Sequence, residues 1–215
     1  PGDLSLVAPV YGNDARLTEW SVEPEQYGKF LTTIFDEWVR QDVGRYHVQI
    51  FDVTLANWTG ENPGLCIFTE TCGDAVVMEH NGDLYSCDHF VYKEYKLGNI
   101  LDNPLGEMMK SETQKQFGLD KRDKLPRYCF ECEYRFACHG ECPKHWFMNT
   151  PDGQYGLNYL CKAYKMFFIH VHPYMQFMYD ELRAKRAPAN VMNWIKRMDQ
   201  KKDEKLKPKQ IIGRN

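Results

Sequence analysis

The sequence predicts an α+β protein, and three observations carry that prediction. Apolar residues recur at helical spacing near both ends of the chain. Short strand-like runs meet at an Asn-Gly dipeptide in the middle. Eight cysteines, all between residues 66 and 161, mark a loop-rich stretch between the helical ends. The 215 residues suffice for one or two packed domains. A hydrophobic share of 43% and a charged share of 27% exclude wholesale disorder. The net charge of −3, from 27 basic and 30 acidic residues, argues against a nucleic-acid clamp or a membrane-surface protein. No apolar run reaches the roughly 18 residues of a spanning helix, so no membrane partner is expected.

Leu4–Val10 reads as a short strand closed by the turn Tyr11-Gly12-Asn13-Asp14. Pro24 suits the first turn of a helix. Tyr27, Phe30, Leu31, Ile34, Phe35, Trp38 and Val39 follow at spacings of three and four, one apolar stripe. Tyr46–Val53 reads as a second strand, which makes the opening a βαβ pattern. From Asn57 onward, Gly60, Pro63, Gly64 and Gly73 break the periodicity. Ala75–His80 and Asp83–Cys87 flank Asn81-Gly82, a hairpin signal. With a two-residue loop, Cys87 would sit opposite Val76, and Gly73 could bend Cys72 back to meet it. A short helix is expected around Leu105–Gln116 and a solvated loop at Lys121–Lys124. Met175, Phe177, Met178 and Leu182 mark a further helix. Pro188 would open another, with Val191, Trp194, Ile195 and Met198 on one face. The charged tail Lys201–Lys209 is expected to be disordered.

The cysteines carry the chemistry. Cys129-x2-Cys132-x5-Cys138-x3-Cys142 is the densest run, followed by Cys161 and preceded by Cys66, Cys72 and Cys87. A short turn between paired cysteines lets both thiolates face one ion or cluster. Eight thiols divide into two four-ligand sites. Spacing alone does not choose iron–sulfur over zinc, and any single thiol can be a small buried hydrophobe. The chain is too long to need disulfide staples and opens without a charged n-region and apolar h-region. Reduced thiols and a cytoplasmic location are therefore expected. The first residues, Pro1-Gly2-Asp3, suit a processed product or a piece of a longer protein.

The order Cys72-x9-Gly82-x4-Cys87, a gap, Cys129-x2-Cys132-x5-Cys138-x3-Cys142, a gap, then Cys161 resembles the SPASM domain of radical S-adenosylmethionine enzymes that modify peptides and proteins. Cys66 supplies an eighth ligand. The wording Met78–Phe90 around Cys87-Asp88-His89 is similar to the anaerobic sulfatase-maturating enzymes. The resemblance covers residues 60–165 most strongly. It implies two auxiliary [4Fe–4S] clusters, the first on Cys66, Cys72, Cys87 and Cys142, the second on Cys129, Cys132, Cys138 and Cys161. Cys142, one helical turn after Cys138, would then serve the other cluster, as in two-cluster ferredoxins.

By the same resemblance, Asp88 is the base that deprotonates the target Cys or Ser. A negatively charged cluster beside it would favour proton uptake by the carboxylate. Without the resemblance, Asp88 reads first as a residue capping a turn after a strand. His89, His139 and His145 read as polar loop residues, and Phe130, Tyr134 and Phe136 as shields of a cluster.

The Cys-x3-Cys-x2-Cys loop that such enzymes use to hold the cluster that cleaves S-adenosylmethionine is absent from this sequence. The family places it in an N-terminal partial (β/α) barrel. The resemblance therefore divides the chain into the last βα units of that barrel (1–59), a hairpin- and loop-rich SPASM iron–sulfur domain (60–165) and C-terminal helices with a charged tail (166–215). The parent enzyme would oxidise a Cys or Ser of an unfolded sulfatase to formylglycine. It would use S-adenosylmethionine, a third [4Fe–4S] cluster and an electron partner such as flavodoxin or ferredoxin. Another SPASM peptide-modifying enzyme, and a non-enzymatic zinc module, are the alternatives.

Overall fold

Helix α1, Pro24–Gln41, forms where the periodicity places it, with Pro24 in its first turn. The structure, a computed structural model, describes residues 7–8, 16–17 and 20–206, with side chains at 17 and 20–202. Leu31, Phe35, Trp38 and Val39 of α1 are buried, whereas Phe30 and Ile34 are exposed, so the buried face is narrower than the apolar stripe. Of the opening strand, β1 is Val7–Ala8, paired antiparallel with β2, Arg16–Leu17. The rest of Leu4–Val10 and the turn Tyr11–Asp14 lie outside the described residues.

Tyr46–Val53 is not a strand. Helix α2 runs Gln49–Thr59 and ends on Gly60 in the left-handed region at φ 75°. The apolar run continues past Val53 to Trp58, and Phe51, Thr54 and Trp58 fall on one helical face, all buried. A short apolar run does not by itself separate strand from buried helix, and here length decides. A βαβ unit is therefore not formed among the described residues. The paired strands there are all antiparallel, in three small sheets.

Strands β3 (Val77–Met78), β4 (Asp83–Tyr85) and β5 (Lys96–Asn99) form one sheet in that order. The hairpin is present, but Val77 pairs with Tyr85 and Met78 with Leu84, one residue off the two-residue-loop register. The loop has three residues. Gly82 donates its N–H to the Glu79 carbonyl (2.9 Å) and takes φ 87°, and the Asp83 N–H is taken by Asn81 Oδ1 (3.0 Å). A type I turn followed by a left-handed glycine gives this longer loop.

The helix expected around Leu105–Gln116 is two helices, α3 (Leu105–Met109) and α4 (Glu112–Asp123). Ser111 divides them by accepting the Gln114 N–H at 3.2 Å, an N-cap that starts a new helix. Lys121–Lys124 is not a solvated loop. Its first three residues belong to α4, and Lys121 is 1% exposed. Short helices α5 (Arg127–Phe130) and α6 (Arg135–Cys138), then the strand pair β6 (Met148–Asn149) and β7 (Tyr155–Leu157), lead to α7, Cys161–Arg183. Helix α8, Asn190–Leu206, includes Lys201–Leu206 of the tail expected to be disordered. Helix propensity through Lys, Asp, Glu and Leu carries it on from a face that Val191 and Ile195 bury. Lys207–Lys209 lie outside the described residues.

The core is aromatic and helical. Phe35 is fully buried, edge-to-face with Phe51 at 5.2 Å and Phe167 at 6.1 Å between centroids. Helices α1, α2 and α8 pack on α7, whose Phe167, Phe168, Val171, Met175 and Met178 line the interior. No helix among the described residues is long and apolar enough to cross a membrane.

Candidate metal centre

The eight cysteines are free thiols, placed where elements begin or end. Cys66 opens a 3-10 turn, Cys66–Phe68, and Cys72 follows in the next loop. Cys87 lies just past β4, before the 3-10 turn Asp88–Phe90. Cys129 is in α5, Cys138 ends α6, and Cys161 is the first residue of α7. Cys142 precedes the 3-10 turn Pro143–His145.

Cys138 and Cys142 are not one helical turn apart on a helix. Helix α6 stops at Cys138, and His139, Gly140 and Glu141 all take left-handed φ, at 48°, 77° and 57°. Three such residues in a row turn the chain away from the α6 axis, so two thiols four positions apart face different neighbourhoods. Non-glycine residues here are strained, and a buried network holds them. Trp146 Nε1 donates to the Gly140 carbonyl at 2.7 Å, and Asn158 Nδ2 donates to the same carbonyl (3.2 Å) and to Glu141 Oε2 (2.6 Å). His145 Nδ1 sits 2.7 Å from Glu141 Oε2.

Burial pushes the thiols up from their ordinary range: Cys87, Cys129 and Cys142 to about 12, and Cys72, Cys138 and Cys161 in the same direction. Neighbouring thiols add to this. Cys72 is raised by Cys66, Cys87 by Cys72, and Cys142 by Cys87. Separately, Cys129 is raised by Cys161 and Cys132, Cys138 by Cys161 and Cys129, and Cys161 by Cys132. These links join Cys66, Cys72, Cys87 and Cys142 in one neighbourhood, and Cys129, Cys132, Cys138 and Cys161 in a second.

Opposing the burial, the nearby backbone N–H groups of His89, Gly140 and Lys144 pull the thiols of Cys87, Cys138 and Cys142, each two residues back, downward. Such donors stabilise a thiolate over a thiol. Asp88 is exposed, and its Oδ1 lies 3.2 Å from Cys87 Sγ and accepts the His89 N–H at 3.1 Å. His89 Nδ1 is 3.5 Å from Cys142 Sγ, closer to the thiols than its reading as a loop residue implied. Lys144 Nζ reaches the His89 carbonyl at 2.8 Å. Cys87, Asp88 and His89 bring ligand-type atoms within 4.8 Å of one another.

Two site residues left no mark in the local sequence. Asn57 Nδ2 donates to the Phe68 and Ala137 carbonyls, both at 3.1 Å, so α2 ties the Cys66 turn to α6. Lys121 Nζ donates to the carbonyls of Cys66, Ile67 and Thr69. Burial pulls its ammonium down, and the thiols of Cys72, Cys142 and Cys66 oppose that pull. Only the fold brings these partners together. Of the expected shielding aromatics, Tyr134 is buried and stacks on Phe168, Phe136 meets Trp58 edge-on, and Phe130 is half-exposed beneath Arg135.

Residues 66–133 match SPASM, an iron–sulfur cluster-binding domain. The chain is 58% identical over 191 residues to a serine-type anaerobic sulfatase-maturating enzyme of Bacteroides thetaiotaomicron, covering 89% of this chain and 46% of that protein. The chain is similar in sequence to the anaerobic sulfatase-maturating enzymes over nearly half of their length. A cysteine-type enzyme of Clostridium perfringens is 28% identical over 172 residues, 79% of this chain and 46% of its own length. The solved structure of native anSMEcpe with bound AdoMet and Cp18Cys peptide superposes with a TM-score of 0.68 at 28% identity, covering 81% of this chain and 48% of that one. The chain thus spans about half the length of the relatives it matches. The SPASM match contains Cys66, Cys72, Cys87, Cys129 and Cys132, while Cys138, Cys142 and Cys161 lie beyond it.

The donor set fits such a cofactor. Eight free thiols, six of them raised by burial and by neighbouring thiols, with backbone N–H groups near three of them, suit the all-cysteine ligation of iron–sulfur sites. Burial favours the protonated thiol at Cys72, Cys87, Cys129, Cys138, Cys142 and Cys161, so metal uptake there releases protons and strengthens as pH rises.

Proposed function

We propose that this chain supplies the auxiliary-cluster half of an anaerobic sulfatase-maturating enzyme of the radical S-adenosylmethionine class. The first [4Fe–4S] cluster is held by Cys66, Cys72, Cys87 and Cys142, the second by Cys129, Cys132, Cys138 and Cys161. When bound, the clusters accept an electron from the oxidised substrate and pass it to an acceptor protein such as flavodoxin or ferredoxin. The cluster domain spans about residues 60–165 and ends inside α7. S-adenosylmethionine and a third cluster belong to the remainder of the enzyme, preceding residues 1–59.

The substrate is a sulfatase polypeptide, still unfolded in the cytoplasm. The 58% identity to a serine-type enzyme favours Ser over Cys as the residue converted to formylglycine. That conversion removes two hydrogens from the side chain. One leaves Cβ as a hydrogen atom to the 5′-deoxyadenosyl radical. The other would leave oxygen as a proton to Asp88, and the clusters held by the eight cysteines would supply the redox chemistry that takes up the remaining electron.

The position of Asp88 carries this reading. It is an exposed carboxylate 3.2 Å from Cys87 Sγ, beside the neighbourhood assigned to the first cluster. An exposed base there reaches a bound peptide and lies next to the electron acceptor. In the full-length enzyme, Asp88→Asn should lower peptide oxidation about 10²–10⁴-fold and leave release of 5′-deoxyadenosine intact. Asn keeps the size and the turn-capping ability but takes no proton. Peptide mass and 5′-deoxyadenosine are measured on one sample. Near-normal peptide oxidation would return Asp88 to a turn residue, and joint loss of both signals with loss of iron would make it a cluster-assembly residue.

A further inference from the structure

Helix α4 presents one buried face to the segments that carry the first thiol neighbourhood. Gln114, Gly118 and Lys121 stand at i, i+4 and i+7, and so share that face. Each touches a different cysteine-bearing segment. Gln114 Nε2 donates to the carbonyls of Gly73 (2.5 Å) and Ser86 (3.1 Å), the residues beside Cys72 and Cys87. The Gly118 carbonyl accepts the Cys72 N–H at 3.3 Å, and a methyl on Gly118 would collide with the Cys72 carbonyl oxygen. Lys121 gives its three ammonium hydrogens to the carbonyls of Cys66, Ile67 (3.0 Å) and Thr69 (2.6 Å).

Two features make this face costly for stability alone. Lys121 is 1% exposed, and among the described residues its ammonium is hydrogen-bonded only to backbone carbonyls, a costly place for a cation with no carboxylate in direct contact. Gln114 is 3% exposed, and its Oε1 has no donor among the described residues. An unmet buried acceptor costs about 1–3 kcal/mol, and such exceptions call for a functional reason. The groups whose negative charge would favour the Lys121 ammonium are the thiols of Cys72, Cys142 and Cys66 and the buried Glu141 carboxylate.

We infer that Lys121 is the positioning residue of the first cluster: its ammonium fixes the turn that bears Cys66 and is the buried counter-charge of the four-thiolate site, with Gln114 and Gly118 holding the Cys72 and Cys87 segments in the same frame. The inference rests on the ligand assignment proposed above and adds to it a residue outside the ligand set. Charge near a cluster is one of the factors that set its potential. A fixed positive charge makes the cluster easier to reduce, which suits an electron acceptor.

The test uses protein reconstituted with iron and sulfide under anaerobic conditions, read by iron and sulfide content and by an EPR-monitored redox titration. Lys121→Met keeps the stem and removes charge and donors. It should either lower iron from about eight to about four per chain or leave both clusters with the first at a more negative potential. Where iron is lost, adding Cys66→Ser should remove no more, whereas adding Cys161→Ser should remove the rest. Full iron with an unchanged potential in Lys121→Met overturns the inference if Cys66→Ser alone loses about four irons. Full iron in both variants overturns the ligand assignment instead. If Lys121→Met unfolds the whole chain, Gly118→Ala reads the same face at Cys72. Selective loss of the first cluster with the helical core intact supports the inference, and retention of both clusters at native potentials overturns it.

Discussion

The helical half of this protein and its cysteine-bearing half are held together by different physics. In α1, α2, α7 and α8, side chains interlock: Phe35, Phe167, Val171, Met175, Met178 and Val191 are fully buried, and ring contacts run from Trp38 through Phe51 to Phe168. Between Gly60 and Cys161, strands have two to four residues and most helices four or five, and the buried groups are often polar: Gln114, Lys121, Glu141, Thr150 and Asn158. There, single hydrogen bonds to backbone carbonyls do the work that methylene burial does in the core. With the proposed clusters on its eight thiols, a region built so would draw part of its stabilisation from them.

The largest expected effect separates the halves outright. Stripping the metal with a chelator should collapse hydrogen-exchange protection across residues 66–161 while amides of α1 and the middle of α7 keep theirs. Equal protection with and without metal would mean that the polar network suffices. Lowering pH should act in the same direction on metal content, because protons compete for thiols that burial already holds near 12 in Cys87, Cys129 and Cys142.

A core truncation makes the reverse cut. Phe35 touches Phe51, Phe167 and Tyr174 and has no exposed surface. Phe35→Ala should cost about 3–5 kcal/mol of global stability, measured by denaturant unfolding. At low denaturant, iron content should stay native. Loss of iron there would show that the two halves fold as one unit, with Asn57 as the bond between them.

This division also explains what the sequence made legible. The stripe of α1 and the faces of α7 and α8 repeat locally, so they could be read. Tyr46–Val53 could not, because strand and buried helix share the same apolar residues until the run is followed to Trp58 and capped by Gly60. In the cysteine region, spacing identified the thiols but not their grouping. What turns Cys142 from Cys138 is three left-handed residues, two of them non-glycine and stabilised by Trp146 and Asn158 further along the chain. Lys121 sat in a charged run indistinguishable from solvent-facing sequence, since its acceptors lie more than 50 residues upstream.

A smaller effect belongs to the α7–α8 corner. Arg186, and then Asn190, hold the Glu181 carboxyl at about 2, below its ordinary 4.5. A depressed carboxylate contributes stability above its unfolded value and loses it as pH falls through the folded one. The stability gap between the native protein and Glu181→Gln should therefore be constant above about pH 5 and close between 4.5 and 2. A gap that persists unchanged at pH 2 would mean the ion pair contributes nothing.

The smallest effect has the opposite sign and touches the core half alone. Helix α7 ends in a Schellman motif: the Arg186 N–H reaches the Glu181 carbonyl at 2.8 Å and the Lys185 N–H reaches the Leu182 carbonyl at 2.9 Å. The residue between, Lys185, must take φ 57°, where a Cβ is strained and glycine is not. Lys185 is exposed, so no packing is lost on removing its side chain. Lys185→Gly trades that strain against the greater freedom of glycine in the unfolded chain, leaving a net gain of about 0.5–1 kcal/mol. For a chain of this size that raises Tm by about 1–4 °C. Iron content and the chelator-induced loss of protection in residues 66–161 should not move. A gain in Tm accompanied by greater protection in the metal-free cysteine region would show that core stability is transmitted across Asn57, and the two halves would no longer be separable in this sense.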